Sequence, residues 1–282
     1  MKILFCTDGS RISYQALLNF KSYFKDIKVD LLSVSDLTYL PDATLFDGSK
    51  YVQECTNSTS SVINYSEKFL SDNNIELSDI IKLCGSAVDS VLDVDSDNNY
   101  DCIVMGSNGK KGLQKWLGSV SSDVASNSKS SVFISKGDKF KNKNILFPVM
   151  PDFDSSDLVE KIVTNFDNND ITVHLITVYE MPDFLFLEGN IDSNWISDVE
   201  RQQHKTALDN LLKYEDLFFR HNIKVINKAV LKGVIHEEIL KYIKLNDISL
   251  VITGMRRKAG FLIASVSRRV LENAKCDVMI YK

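Results

Sequence analysis

No stretch of this chain approaches the run of about 18 apolar residues that a membrane span needs. Excess positive charge is also missing. Its 33 Lys and Arg stand against 38 Asp and Glu, a net charge of −5, which excludes the basic footprint of a duplex nucleic-acid binder or of a polybasic membrane surface. The opening MKILFCTDGS carries one lysine and only a short apolar run before an aspartate. It reads as a strand and not as a signal peptide, so a cytoplasmic location is expected. The five cysteines (Cys6, Cys55, Cys84, Cys102 and Cys276) are odd in number and have no CxxC spacing. Because Cys6, Cys84 and Cys102 sit inside apolar runs, reduced, packed cysteines and no zinc site are expected. The four histidines, His174, His204, His221 and His236, are scattered through the second half, where packing or surface roles outweigh metal ligation.

The familiar phosphate and hydrolase motifs are absent too. There is no Gly-x4-Gly-Lys-Ser/Thr, no Gly-x-Gly-x-x-Gly, no Ser-Gly-Gly-x-Asp-Ser and no Gly-x-Ser-x-Gly elbow. What is present is a looser glycine loop. Asp101 to Met105 reads as a buried strand, MGSNGKKGLQKWLGSVS follows from Met105 to Ser121, and a serine-rich helical segment comes next. Glycines let a backbone approach an anion, and the free N–H groups of a helix start point toward it.

Strand and helix signals alternate from the start. Lys2 to Thr7, Val29 to Val34, Asp79 to Leu83, Asp101 to Met105 and Ser131 to Ser135 read as strands. Ser13 to Phe24, Tyr51 to Ser71 and Val88 to Val94 read as helices, Pro41 to Ser49 as a loop, and Asp93 to Asp101 as a polar, acidic connection. Such alternation predicts parallel β-α-β units with helices on both faces of the sheet. GDKFKNKN, from Gly137 to Asn144, suits a linker. After it the pattern restarts at an offset of about 145 residues: KNILFPV echoes MKILFCT, HLITV echoes DLLSV, and LKGVIHEEIL echoes LCGSAVDSVL. SLVITGMRRK then echoes DCIVMGSNGK, and CDVMIYK echoes SSVFISK. Five echoes in order mark an internal duplication, and the 282 residues suit two domains, 1–138 and 143–282. The fold class is α/β, two doubly wound five-stranded parallel-sheet domains in tandem.

In such sheets a ligand sits beyond the carboxyl ends of the strands, where strand order reverses. With strands one and four as central neighbours, Asp8 and Gly106 face one crevice. Asp8 could accept hydrogen bonds from a ribose or base, or it could cap the first helix in an Asx turn. Gly106 and Gly109 would let the backbone hug phosphates. Gly118 and Ser119 offer N–H and hydroxyl donors or a plain N-cap, and Lys110 and Lys111 offer charge or a solvated surface.

MKILFCTDGS with its helix, GSAVDSVL before the fourth strand and MGSNGKKGLQKWLGSVS before the fifth resemble the universal stress protein family, twice in tandem over nearly the whole chain. The resemblance implies the adenine nucleotide α-hydrolase-like fold. It also implies a site for ATP, or for ADP or AMP, in the first half, with Mg2+ left open as an accompanying ion. The signature of ATP-binding members is Gly-x2-Gly-x9-Gly-Ser/Thr, paired with an aspartate after the first strand. Gly106, Gly109, Gly118 and Ser119 match it with eight residues between the second and third glycines, one fewer than the family spacing. By the same resemblance Asp8 meets the adenosine moiety, Val34 meets adenine through its backbone, and Val120 lines the phosphate end.

The second copy has Met150 where the first has Asp8, and Arg257 and Ala264 where it has Gly109 and Gly118; only Gly254 matches Gly106. It is therefore expected to be degenerate for nucleotide, a side chain at either position blocking the backbone's close approach, although Arg256, Arg257 and Lys258 could still attract an anion. A stress-response regulator is implied, with no catalytic residue identified and slow ATP hydrolysis at most. The competing reading is an interaction or scaffold protein that binds no nucleotide. A flavin electron-transfer domain shares the topology, but nothing in the sequence marks an isoalloxazine site. Single-domain members commonly dimerise through their last strands. The resemblance thus implies an intramolecular pseudo-dimer through SVFIS and DVMIY, with homodimerisation left open and neither nucleic acid nor membrane as a partner.

Overall fold

The computed structural model describes residues 1–36, 48–108, 117–138, 140–150, 155–167, 169–181, 193–254 and 265–282. The chain divides into two compact units whose long segments change over between Lys139 and Phe140, the last residues, Met279–Lys282, belonging to the first. The first holds β1 (Lys2–Cys6), α1 (Arg11–Tyr23), β2 (Lys28–Asp36), α2 (Gly48–Asp72), β3 (Glu76–Gly85), α3 (Ala87–Asp97), β4 (Cys102–Gly106), α4 (Ser119–Asn127) and β5 (Ser131–Ser135). Its strands run in the order β3-β2-β1-β4-β5, and every neighbouring pair is parallel. The chain winds outward on one side of β1 and then crosses to the other. The reversal therefore lies between β1 and β4, where Ile3, Leu4 and Phe5 pair with Cys102, Ile103 and Val104.

Apolar residues cover both faces of the central strands, so Ile3, Leu4, Phe5, Ile103 and Val104 are fully buried, as parallel strands under helices require. Helix α1 begins at Ser10, whose side chain accepts from the Ser13 N–H. Its Phe20 stacks on Phe24 and meets Phe133 of β5 edge-on at 5.2 Å. Tyr14 on α1 reaches α2 through Ser66 (2.9 Å) and Phe69. At the outside, β3 exposes Glu76, Asp79 and Lys82, charges that protect an edge from further pairing.

The second repeat follows the same plan with β6 (Lys143–Val149), α5 (Ser156–Val163), β7 (Ile171–Tyr179), α6 (Ser193–Arg220), β8 (Lys224–Lys232), α7 (Ile235–Leu245), β9 (Leu250–Gly254), α8 (Ser265–Asn273) and β10 (Asp277–Tyr281). Its order is β8-β7-β6-β9-β10, and β6 pairs in parallel with β7 and β9.

Three expectations from sequence shift. The acidic stretch expected as a connection from Asp93 is helical as far as Asp97. Asp95 is buried there because one carboxylate oxygen accepts the N–H groups of Lys129 and Ser130. The last two residues expected in the linker, Lys143 and Asn144, open β6. Finally, Cys55 and Cys84, expected to be reduced, are joined in a disulfide; they lie toward the far ends of the consecutive elements α2 and β3 and meet only because the chain folds back between them. The loop expected over Pro41 to Ser49 lies mostly outside the described residues.

Candidate functional site

At the carboxyl ends of β1 and β4 the backbone turns tightly and the turns are tied down. Asp8 Oδ1 accepts the Ser10 N–H at 3.0 Å, and Thr7 Oγ1 accepts the N–H of Gly9, which stands at φ 76°. Thr7 Oγ1 also meets Ser13 Oγ at 2.6 Å. The Asx turn weighed for Asp8 is therefore present, and it holds the half-buried carboxylate at the start of α1.

Gly106 is the last residue of β4 rather than the first of the loop. A Cβ there would lie 2.8 Å from Ile12 Cγ2 and 3.1 Å from Ser13 N. Packing against the first turn of α1 already demands this glycine. Beyond it, Ser107 and Asn108 are buried. The Ser107 N–H donates to Ser135 O, and Ser107 O accepts the Gly118 N–H at 2.7 Å. Gly118 is the N-cap of α4, without a side-chain cap, and a Cβ there would stand 3.0 Å from Ser107 O. Ser119, exposed, and Val120, half-buried, form the first turn. A helix's first four N–H groups have no partner inside the helix, and its dipole favours an anion. This end thus offers donors and partial positive charge beside the Asp8 turn.

Val34 lies two residues past Leu32, whose carbonyl accepts the Thr7 N–H at 3.0 Å, so it joins the same edge from the β2 side. Asp8, Val34 and Gly106 stand at or just past the carboxyl ends of β1, β2 and β4, and Gly118, Ser119 and Val120 at the start of α4, whereas Gly109, Lys110 and Lys111 lie outside the described residues. Sequence reasoning missed Ser121. Its hydroxyl donates to the carbonyls of Gly106 and Ser107, both at 3.1 Å, clamping the two ends of the loop. The signal was in the repeat, since Ser267 donates to Gly254 O in the second unit.

That second unit is built differently at the matching edge. Met150 replaces the aspartate, and its carbonyl accepts Asn210 Nδ2 at 2.6 Å. Tyr179, at the end of β7, and Met181 are buried with Ile196, Val199 and Val230 packed on them. Arg256, Arg257, Lys258 and Ala264 lie outside the described residues. Among the described residues no His, Cys, Asp and Glu cluster could hold a metal ion, and no helix is long and apolar enough to cross a membrane.

No curated protein matches the chain. Solved structures of the same architecture include a universal stress protein from Archaeoglobus fulgidus DSM 4304, 22% identical, with 100% of this chain and 96% of that one covered at a TM-score of 0.67. A functionally unknown protein from Pseudomonas aeruginosa PAO1 is 12% identical, with 100% and 92% covered at 0.63. An AMP-bound family member from Arabidopsis thaliana covers 50% of this chain and 91% of its own, at 12% identity and 0.37. The model of the universal stress protein family matches twice, over residues 1–136 and 141–282. With one copy in each repeat and a doubly wound sheet in each unit, the chain belongs to the universal stress protein family.

Proposed function

We propose that the first unit binds an adenine nucleotide (ATP, ADP or AMP) in a cytoplasmic, stress-response regulatory role, and that the second unit is degenerate for it. The observation that carries this reading is Gly106 at the β1–β4 reversal, which packs on the first turn of α1 just after Asp8 and whose carbonyl accepts the Ser121 hydroxyl of the first turn of α4. The phosphates would lie on the α4 N-terminus, the ribose would reach the Asp8 carboxylate, and the base would reach the backbone at Val34. The test is mass spectrometry of small molecules released by heat from freshly purified protein, followed by calorimetry with ATP. Co-purified nucleotide or saturable binding is the expected result. Neither, up to millimolar ATP, would overturn the reading.

The scaffold reading has one observation of its own: Gly106 is required by Ile12 and Ser13 even with no ligand. Calorimetry separates the two. Assembly belongs to the same proposal. β5 and β10 are short apolar last strands, and an apolar edge has to be paired or covered. The chain would thus act as its own dimer through these two strands, with homodimerisation a further step. Cross-linking that joins 131–135 to 277–281 only between chains, never within one, would refute the intramolecular arrangement.

A further inference from the structure

Cys55 of α2 is bonded to Cys84, the penultimate residue of β3, across 29 residues of sequence and 6.3 Å between Cα atoms. Cys55 is buried, whereas Cys84 is exposed. Cys84 stands opposite Ser35 in the β2–β3 register, and Ser35 Oγ donates to the Cys55 carbonyl at 3.4 Å. The bond therefore lies at the carboxyl edge of the sheet, one residue beyond Val34. It comes just before Gly85 at φ 144° and Ser86, the N-cap of α3.

The second unit has the same station. Lys232 stands opposite Tyr179 in the β7–β8 register, just before Gly233 at φ 147°. Its ammonium pairs with Glu200 of α6 at 2.9 Å, and Glu200 also accepts from Tyr179 OH at 3.4 Å. One junction, from the long helix to the end of the edge strand, is thus closed by an ion pair in one unit and by a covalent bond in the other. An exposed ion pair breaks and re-forms freely; a disulfide opens only to another thiol. The remaining cysteines are buried, and burial pushes the thiols of Cys6 and Cys102 far above their ordinary range, leaving them unreactive.

We propose that Cys55–Cys84 is a thiol–disulfide exchange site, a clasp that a dithiol reductant opens to free α2 from the end of β3. The dithiol's thiolate attacks the exposed Cys84 Sγ. A mixed disulfide forms there, the Cys55–Cys84 bond breaks, and its electron pair leaves on Cys55 Sγ, which takes a proton. The dithiol's second thiolate then attacks its own sulfur in the mixed disulfide, and Cys84 departs as a thiolate that is protonated in turn. Two electrons and two protons reach the protein, the dithiol becomes a disulfide, and an oxidised dithiol reverses every step. In a reducing compartment a disulfide is usually one that is made and broken in use. The proposal stands independently of nucleotide binding.

The test uses the full chain purified without reductant and equilibrated in graded mixtures of oxidised and reduced dithiothreitol. Native-state alkylation with N-ethylmaleimide and hydrogen–deuterium exchange of the peptides around Cys55 and Cys84 are then read. Expected in oxidised buffer is a Cys55–Cys84 cross-linked peptide and no label. On reduction Cys84 labels first and Cys55 follows, while Cys6, Cys102 and Cys276 stay unlabelled. Amide exchange in the two peptides rises several-fold, with β1 and β4 unchanged. The double variant Cys55→Ser/Cys84→Ser shows the raised amide exchange of the reduced protein in every buffer and takes no label at either position. Five alkylatable thiols in the denatured, never-reduced protein would overturn the proposal. So would a native bond that dithiothreitol cannot open, or wild-type exchange that is equal in both states.

Discussion

At the end of β1 the first unit has Thr7, Asp8 and Gly9, three residues folded into side-chain-held turns that lead straight into α1. At the end of β6 the second unit has Pro148, Val149 and Met150. Pro148 has no N–H to offer a ladder, and β6 pairs with β9 as far as Leu146, whereas β1 pairs with β4 through Phe5. Beside this, the first unit has Ser35 where the second has Tyr179, packed with Met181 and three further apolar side chains. The frame has been kept in both, down to the Ser121 and Ser267 clamps. One edge has been kept polar and the other filled. A fold can change residues at this edge without losing its frame because they contribute little to the core, and burying apolar surface there is itself stabilising.

The largest expected effect of this contrast is all-or-none. ATP should saturate near one per chain, with the second unit empty at every concentration. Equilibrium dialysis giving two equivalent sites, or Asp8→Met abolishing nothing while Met150→Asp creates a site, would break the comparison.

The closures at the helix–edge junction come next. Cross-linking residues 29 apart removes unfolded-chain entropy worth about 3–4 kcal/mol in the loop-closure picture. Cys55→Ser/Cys84→Ser should lower stability by up to that amount in urea titration under non-reducing conditions, with no further loss on adding dithiothreitol. The exposed pair on the other side, removed as Lys232→Gln, should leave the midpoint unchanged within error, as exposed ion pairs commonly do. Equal losses from the two would mean that covalency does not distinguish the junctions.

A smaller, local effect is expected at Asp8. Asp8→Ala should weaken nucleotide binding by about 1–3 kcal/mol, the range for leaving a buried hydrogen-bonding partner unmatched. Calorimetric titration of wild type and variant checks it, and identical affinities would remove Asp8 from the site.

The strands, the order of the echoes and the reversal of strand order between the first and fourth strands were legible in the sequence because apolar runs and glycines report local backbone needs. β5, for example, spans the Ser131 to Ser135 expected. The facts that depend on two distant surfaces meeting were not. No pattern in GSAVDSVLDVDSD tells that Asp95 will find two backbone N–H groups at residues 129 and 130. Cys55 and Cys84 read as separate small residues until α2 lies along β3. Gly106 shows the same limit in reverse. A glycine at a phosphate-type loop suggested a ligand, but the atoms that exclude a side chain there belong to α1.

The smallest effect expected concerns the buried polar position that the repeats share, Asp30 on β2 and His174 on β7. Asp30 holds Tyr100 and Lys2, both at 2.9 Å. His174 has Tyr242 OH at 2.9 Å from Nδ1, Asn227 donates to that same hydroxyl, and its Nε2 is buried with no hydrogen-bond partner among the described residues. The swap replaces an acid held by a cation with a base held by neutral groups, and burial accordingly lowers the His174 pKa below 6.5. As pH falls past about 6.5, the unfolded chain takes up the proton before the folded one does. His174 therefore adds no pH-dependent cost at pH 8 and an increasing cost in the window from 6.5 down to its folded pKa. His174→Gln removes that cost but also removes the bond to Tyr242, worth about 1 kcal/mol. Urea titrations at pH 8 should show the variant less stable by about that amount, with the gap narrowing steadily toward pH 5.5. A gap that stays constant, or widens, on acidification would mean that His174 is protonated in the folded unit and that the repeats do not differ at this position in the way their neighbours imply.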